Sequence, residues 1–275
     1  MNSNNLPDWL TGVWRRLSIE TEDGLQDTKS QAIWLQTHSC FGDIRIPADR
    51  PNLSAKSSLT ELTELEMIAL SKQQGFAGVT ELNGSTSHWH RYIDYQPLNA
   101  GQDIGSLHWE GEILIELGVE AIYKEEWQRL DDGSRDFTAL VLPAEIDQTL
   151  DKNLSWQGCL VTAGDYFVYV WNRSLLLPPA DSLTSLLISS AQDHNKQIDY
   201  LDCEISFGVC KSGQVPWEIH LSTLPWREGC SLWSLSNLEV NLEKGQVLQT
   251  IHQPKGRQIR HWTIQEWGTG SAFKN

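Results

Sequence analysis

Trp89-His90-Arg91-Tyr92-Ile93-Asp94-Tyr95-Gln96-Pro97 and Trp217-Glu218-Ile219-His220-Leu221-Ser222-Thr223-Leu224-Pro225 each open on Trp and close on Pro eight residues later, at an offset of 128. Both alternate with period two, which marks a half-buried strand. Two further landmarks repeat at similar spacing. Ser58 and Asp181 each stand before a stretch of helical period, and Ser106-Leu107-His108-Trp109 finds its counterpart in Ser231-Leu232-Trp233. Loop insertions of a few residues reconcile the offsets. The pattern predicts two copies of one unit, residues 1–132 and 133–275.

Outward from these segments, alternation dominates. Strands are expected near 11–19, 31–37, 41–46, 76–82, 87–96, 106–111, 113–118 and 121–130. A second series follows near 137–143, 156–163, 165–173, 197–206, 214–222, 230–236, 237–242, 246–252 and 257–267. Glu22-Asp23-Gly24, Asn83-Gly84, Asp131-Asp132-Gly133, Lys244-Gly245 and Lys255-Gly256 supply turns. Two segments carry a helical period. One is capped by Ser58 with Glu61 and places Leu59, Leu62, Leu65 and Ala69 on one face; the other follows Asp181, with Leu183, Leu186 and Leu187 together. The expected class is all-β with two short helices. About eight antiparallel strands per copy favour closed barrels, because closure removes exposed sheet edges. A β-sandwich is the structural rival.

Parity then assigns faces. In the second copy Trp217, Ile219 and Leu221 form an apolar, inward face, which leaves Glu218 and His220 outside. By the repeat, Trp89, Arg91, Ile93 and Tyr95 point inward in the first copy. On its last strand Tyr123, Glu125 and Trp127 share one face. An inward guanidinium needs a carboxylate, an anion or water. Arg91 and Glu125 are therefore read as an internal pair or as the polar fixers of a ligand, with Trp14, Trp34, Trp89, Tyr95, Tyr123 and Trp127 lining the space. Arg45 is a weaker candidate, with Asp43 as its local partner.

Other classes are excluded or demoted. With 21 basic and 36 acidic residues, a formal charge of −15 and scattered cations, the chain repels phosphate backbones, so no nucleic acid is expected. The five Cys, at 40, 159, 203, 210 and 230, contain no C-x-x-C pair and read as reduced thiols, although Cys203 and Cys210 could face one another across a hairpin. No apolar run is long enough to span a membrane, and Met1 to Asp8 has no leader character. A cytoplasmic protein is expected. No nucleotide loop and no nucleophile elbow is present, so no cofactor is expected. His88-x-His90 followed by Asp94 and Gly101 resembles the cupin metal pattern, with Asp in place of Glu and no second motif. The facing argument puts these side chains outside, so no metal ligand is assigned.

Thr11-Gly12-Val13-Trp14 resembles the Gly-x-Trp opening of lipocalin-like (calycin) barrels. Tyr123-Lys124-Glu125-Glu126-Trp127-Gln128 resembles the aromatic-x-Glu-x-Trp-Gln run that closes the first barrel in the fungal Hri protein family, and the similarity continues through Gly158 to Arg173. That family consists of paired lipocalin-like barrels without an assigned activity. The resemblance implies tandem, duplicated antiparallel lipocalin-like barrels and carries over no catalytic residue. The resulting expectation is non-enzymatic binding of a small, mainly apolar ligand, carboxylate-bearing in one version, inside the N-terminal barrel. The second barrel, with Ile219 where the first has Arg91, is expected to be a packed scaffold or a partner surface. A protein-interaction module with closed barrels, and a metal-dependent or cofactor-free barrel enzyme, are the alternatives.

Overall fold

The computed structural model describes residues 6–97, 101–130, 136–144, 156–211, 215–253 and 256–273. In the first half the strands are Gly12–Thr21 (β1), Gln26–Asp27 (β2), Gln31–Gln36 (β3), Phe41–Ile46 (β4), Gln74–Asn83 (β5), Thr86–Asp94 (β6), Ile104–Glu110 (β7), Ile113–Gly118 (β8) and Tyr123–Arg129 (β9), with helix α1 at Glu64–Leu70. Neighbours pair in sequence from β3 to β9. Strand β9 returns to β1, and β1 also pairs β3, so eight antiparallel strands close into a barrel. The short β2 flanks the end of β1.

The second half contains Phe137–Pro143 (β10), Trp156–Ala163 (β11), Tyr166–Trp171 (β12), Glu204–Val209 (β13), Glu218–Ser222 (β14), Leu238–Asn241 (β15), Gln246–Gln253 (β16) and Gly256–Trp267 (β17), with helices Leu183–Ser189 (α2) and His194–Leu201 (α3). Its strand order, β14-β13-β12-β11-β10-β17-β16-β15, matches that of the first barrel from β6 around to β7. The difference is one seam. Where β6 pairs β7 in the first half, no pairing of β14 with β15 is present among the described residues; the chain just before β15 instead lies along β14, through the bridge Glu218 to Ser231 and backbone hydrogen bonds from Ile219 N to Cys230 O and from Leu232 N to Trp217 O. Among the described residues the second unit therefore has the strand order of a barrel with one seam unpaired.

Other local departures have local causes. Three helices are described instead of two. The stretch expected to be a strand at 197–206 begins as α3, which Asp193 caps through Lys196 N and which buries Gln197, Tyr200 and Leu201 at helical spacing. Helix α1 is capped by Thr63 with Glu66 in a capping box, not by Ser58, so Leu65 is 82% exposed while Met67 and Leu70 are buried. Helix α2 is capped by Ser182, one residue after the expected Asp181. Residues 230–236 form no regular strand. The turn at 131–133, the expected 132/133 boundary and Lys255 lie outside the described residues.

Both halves contain the same irregularity. Between β5 and β6 the register shifts so that Gly78 faces Arg91 while Ala77 faces Ile93; between β13 and β14, Gly208 faces Ile219 while Phe207 faces Leu221. One extra residue on β6 and on β14, a β-bulge, reverses the parity of everything after it. In each case a Cβ on the glycine would collide with a backbone carbonyl, that of His90 or of Glu218. Trp89 and Trp217 therefore lie inside their barrels, whereas Ile93 and Leu221 emerge on the outer face.

Those outer faces meet. A core containing Ile33, Leu35, Ile44 and Ile93 from the first sheet, Val161, Val168, Val170 and Ile205 from the second, and Met67, Leu70, Leu187 and Leu201 from the helices lies between the barrels. The sheets approach closely at Gly42, where a Cβ would stand 2.6 Å from Val168 Cγ1. Arg173 reinforces the contact by donating to the backbone carbonyls of Asp94, Tyr95 and Tyr200. Cys203 belongs to this shared core and Cys210 to the interior of the second barrel, both as free thiols. No helix among the described residues is long and apolar enough to cross a membrane.

Because the carbonyl leaves no room for a methyl group, Gly78→Ala and Gly208→Ala should each destabilise the protein by about 2–4 kcal/mol in urea unfolding. A loss below about 0.5 kcal/mol would show that the bulge is not a steric requirement.

Candidate binding site at the mouth of the N-terminal barrel

The interior of the closed barrel grades from aromatic at one end to charged at the other. Alternation on β1, β3, β4 and β9 sends Trp14 and Arg16, Trp34, Phe41 with Asp43 and Arg45, and Trp127 with Glu125 inward. At the aromatic end Trp14 stacks on Trp34 at 6.0 Å, and Trp34 meets Trp89 and Trp127 edge-on at 5.8 Å each. The N-terminal Leu6 and Leu10 join this cluster, and Trp14 Nε1 donates to Leu10 O. The rings fill the space they were expected to line. A void of only about 10 Å³ remains among Trp34, Trp89, Trp127 and the charged groups, no more than the room of a single water molecule and far too little for a ligand.

The charged end is organised around Glu125, whose side chain is 1% exposed. Its Oε1 accepts from Arg16 Nη1 at 2.6 Å and from Arg45 Nη1 at 2.9 Å, and Arg45 Nε also donates to Asp43 at 2.9 Å. Arg91 points inward as parity requires, but its partners are Asp94 and Asp103, at 3.0 and 2.6 Å, and its guanidinium lies 3.6 Å from the centre of the Phe76 ring. Arg91 and Glu125 thus belong to one charged layer without pairing to each other. Tyr95 is not in the barrel. It lies beyond the bulge, in the core between the sheets, where its hydroxyl donates to Leu70 O.

Tyr123 and Trp127 converge on Glu116, a residue the sequence reading had not singled out. The Tyr123 hydroxyl donates to Oε1 at 2.7 Å and Trp127 Nε1 to Oε2 at 3.1 Å. Glu116 stands directly across from Glu125. Burial, followed by the charge on Glu125, pushes the Glu116 carboxyl up to about 8. Burial and the neighbouring Glu116 also raise the Tyr123 phenol. The second barrel repeats the indole contact with a neutral acceptor, because Trp262 Nε1 donates to Gln249 Oε1 at 3.0 Å.

Above this charged layer the barrel opens into a cleft of about 370 Å³. Ile19, Leu25, Ile46 and Pro47 give it apolar walls. Arg16, Arg45 and Lys72 supply cationic groups, and Thr21, Gln26, Asp27, Ser30 and Gln74 complete the polar lining. Hydrogen bonds from Ser30 hold Asp27 down to about 2, so it is an anion at neutral pH. The sequence reading missed Arg16, Lys72 and Glu116 as members of this region. Arg16 was accessible to it, since Trp14 and Arg16 share strand parity just as Trp89 and Arg91 do.

An eight-stranded, up-and-down antiparallel barrel with a filled base and an open mouth is the lipocalin-like architecture. The fold is all-β and lipocalin-like. No family model matches the chain, and no curated protein does. Among solved structures it is similar to the uncharacterised protein YLR301w from Saccharomyces cerevisiae, with 13% identity, a TM-score of 0.51, and coverage of 94% of this chain and 98% of that one. It is also similar to a lipocalin-like protein from Bacteroides uniformis over 45% of this chain and 100% of that one, at 14% identity and a TM-score of 0.29. At these identities the likeness to the yeast protein speaks to the fold alone.

Two substitutions separate the roles of the facing carboxylates. Glu125→Gln leaves Arg16 and Arg45 without their shared anion and should cost about 3–5 kcal/mol in urea unfolding. Glu116→Gln reproduces the arrangement at Gln249 and should fold. A raised acid pKa means that the folded chain holds a proton the unfolded chain has released. The stability contributed by neutral Glu116 is therefore complete below about 4.5, the ordinary value, and is lost as pH rises through about 8. Glu116→Gln should flatten the fall in stability between pH 5 and 8; parallel profiles for variant and parent would count against this assignment.

Proposed function

We propose that the protein is a non-enzymatic binder of a small, partly apolar, acid-bearing molecule, held at the mouth of the N-terminal barrel above its packed interior. The observation that carries this reading is the cleft of about 370 Å³ with Arg16 and Arg45 contributing to its lining and aliphatic side chains around them. That volume falls within the usual range for small-molecule sites, and guanidiniums favour carboxylate or phosphate oxygens. Exposed Leu25, Val119 and Ile122 support an apolar portion of the ligand. Leu25 is in the loop after β1, and Val119 and Ile122 are in the β8–β9 turn, at the same end of the barrel as the cleft. In this reading Trp14, Trp34, Trp89 and Trp127 are the rigid base, Glu125 orients the two arginines, and Arg91 braces the charged layer from the far side.

The same proposal includes a cytoplasmic setting, a division into units at 1–132 and 133–275, and descent of the two from one ancestral barrel. Kinship with the fungal Hri proteins also belongs to it and rests on the run Tyr123 to Gln128. The matched bulges at Gly78 and Gly208 support common descent, as does the matched indole contact at Trp127 and Trp262.

Decanoate is a suitable probe, because it joins a carboxylate to a short aliphatic tail. Arg45 lies 5.7 Å from the Trp127 ring, so occupation of the cleft should alter tryptophan emission. Titration with decanoate should give a saturable change that Lys72→Met weakens about threefold and Arg45→Met at least about tenfold. Native mass spectrometry should show a 1:1 complex. No saturable change in the parent protein, or equal affinity in parent and both variants, would overturn the reading.

A further inference from the structure

The outer face of the β5–β6 hairpin carries Glu81, His88 and His90, which neither the barrel interior nor the shared core uses. The two-residue turn Gly84-Ser85, with Gly84 at φ +64°, fixes the hairpin register. Glu81 consequently stands directly across from His88, and His90, two residues further on, shares its face. One ligating atom from each of the three lies within 4.8 Å of the other two. His90 Nε2 is already 3.3 Å from Glu81 Oε2, and the two imidazole centres are 3.9 Å apart. Donors bound at roughly 2.0–2.1 Å to a tetrahedral ion stand roughly 3.3–3.4 Å from one another, so side-chain rotation alone would complete the closure.

We propose that Glu81, His88 and His90 form a surface binding site for a late first-row divalent cation, Zn²⁺ or Cu²⁺, independent of the ligand cleft. Two imidazoles and one carboxylate are a donor set suited to these ions, with water completing the coordination. The carboxylate is held ready, because Asn83 Nδ2 donates to Glu81 Oε1 at 3.2 Å and leaves Oε2 toward the histidines. Strand spacing by itself would have added Asp94 to the two histidines. The bulge sends Asp94 to the opposite face, where it pairs with Arg91, and the neighbouring strand supplies Glu81 in its place.

Calorimetric titration of the full chain with Zn²⁺ should give a stoichiometry near one. His88→Gln and His90→Gln should each weaken binding by at least about 100-fold and Glu81→Gln by about 10-fold, with unchanged far-ultraviolet circular dichroism. With one equivalent of Cu²⁺, electron paramagnetic resonance should show coupling to two imidazole nitrogens, reduced to one in either His variant. Wild-type affinity and spectra in all three variants would overturn the site. So would transfer of the effect to His108→Gln, which alters another exposed His–Glu pair on this barrel, His108 with Glu110. Should a His variant fail to fold, Glu81→Gln decides alone: retained full affinity and an unaltered spectrum refute the proposal.

Discussion

The backbone carbonyl of His90 presses against residue 78 so closely that only glycine fits, and much of the molecule follows from that contact. The bulge it accommodates divides β6 between two environments. Before it, Trp89 and Arg91 enter the barrel; after it, Ile93 and Tyr95 turn toward the second sheet. Without the parity change, the strand would have one continuous buried face and nothing apolar to offer the neighbouring barrel. Gly208 and the Glu218 carbonyl repeat the device, so each barrel feeds apolar side chains into the same intervening core. Association of the two sheets is therefore built into the strands themselves.

The interiors reach packing by different chemistry. In the second barrel Phe167, Trp217, Trp233 and Trp262 fill a largely apolar volume, with irregular chain hydrogen-bonded along β14 at the unpaired seam. The first barrel buries arginines and carboxylates, which is costly unless each charge is paired. Glu125 meets the requirement by accepting from two guanidiniums on one oxygen, and Glu116 meets it by holding a proton. The corresponding acceptor in the second barrel is the amide of Gln249, which raises no such conflict. Among the described residues the fully buried carboxylates, Asp43, Glu116 and Glu125, all belong to the first barrel, which focuses attention on the mouth above them, where Arg16 and Arg45 reach the cleft.

Much of this was legible before any coordinates. Alternation located most strands, and the repeated Trp-to-Pro segments located the two strands that bear the bulges. The pairing of Arg45 with Asp43 follows from their shared parity on β4. What escaped was long-range or irregular. Tyr95 was misplaced because a single inserted residue reverses faces and leaves no mark in a period-two pattern. Helix α3 was read as a strand because its buried residues occupy little more than one turn. Glu116 was unremarked because its significance comes from facing Glu125 across the sheet.

The amino-acid sequence by itself determined the elements and their two-sidedness, because alternation of apolar and polar residues is a local property of an extended chain. Tertiary structure alone decided which aromatic rings lined a space and which filled it, which carboxylate each arginine took, and that among the described residues one barrel pairs all round while the other has one seam unpaired. Those outcomes depend on distances between residues far apart along the chain, such as Arg16 and Glu125, and on how much volume remains once every ring has found a neighbour. Local periodicity carries no information about either quantity.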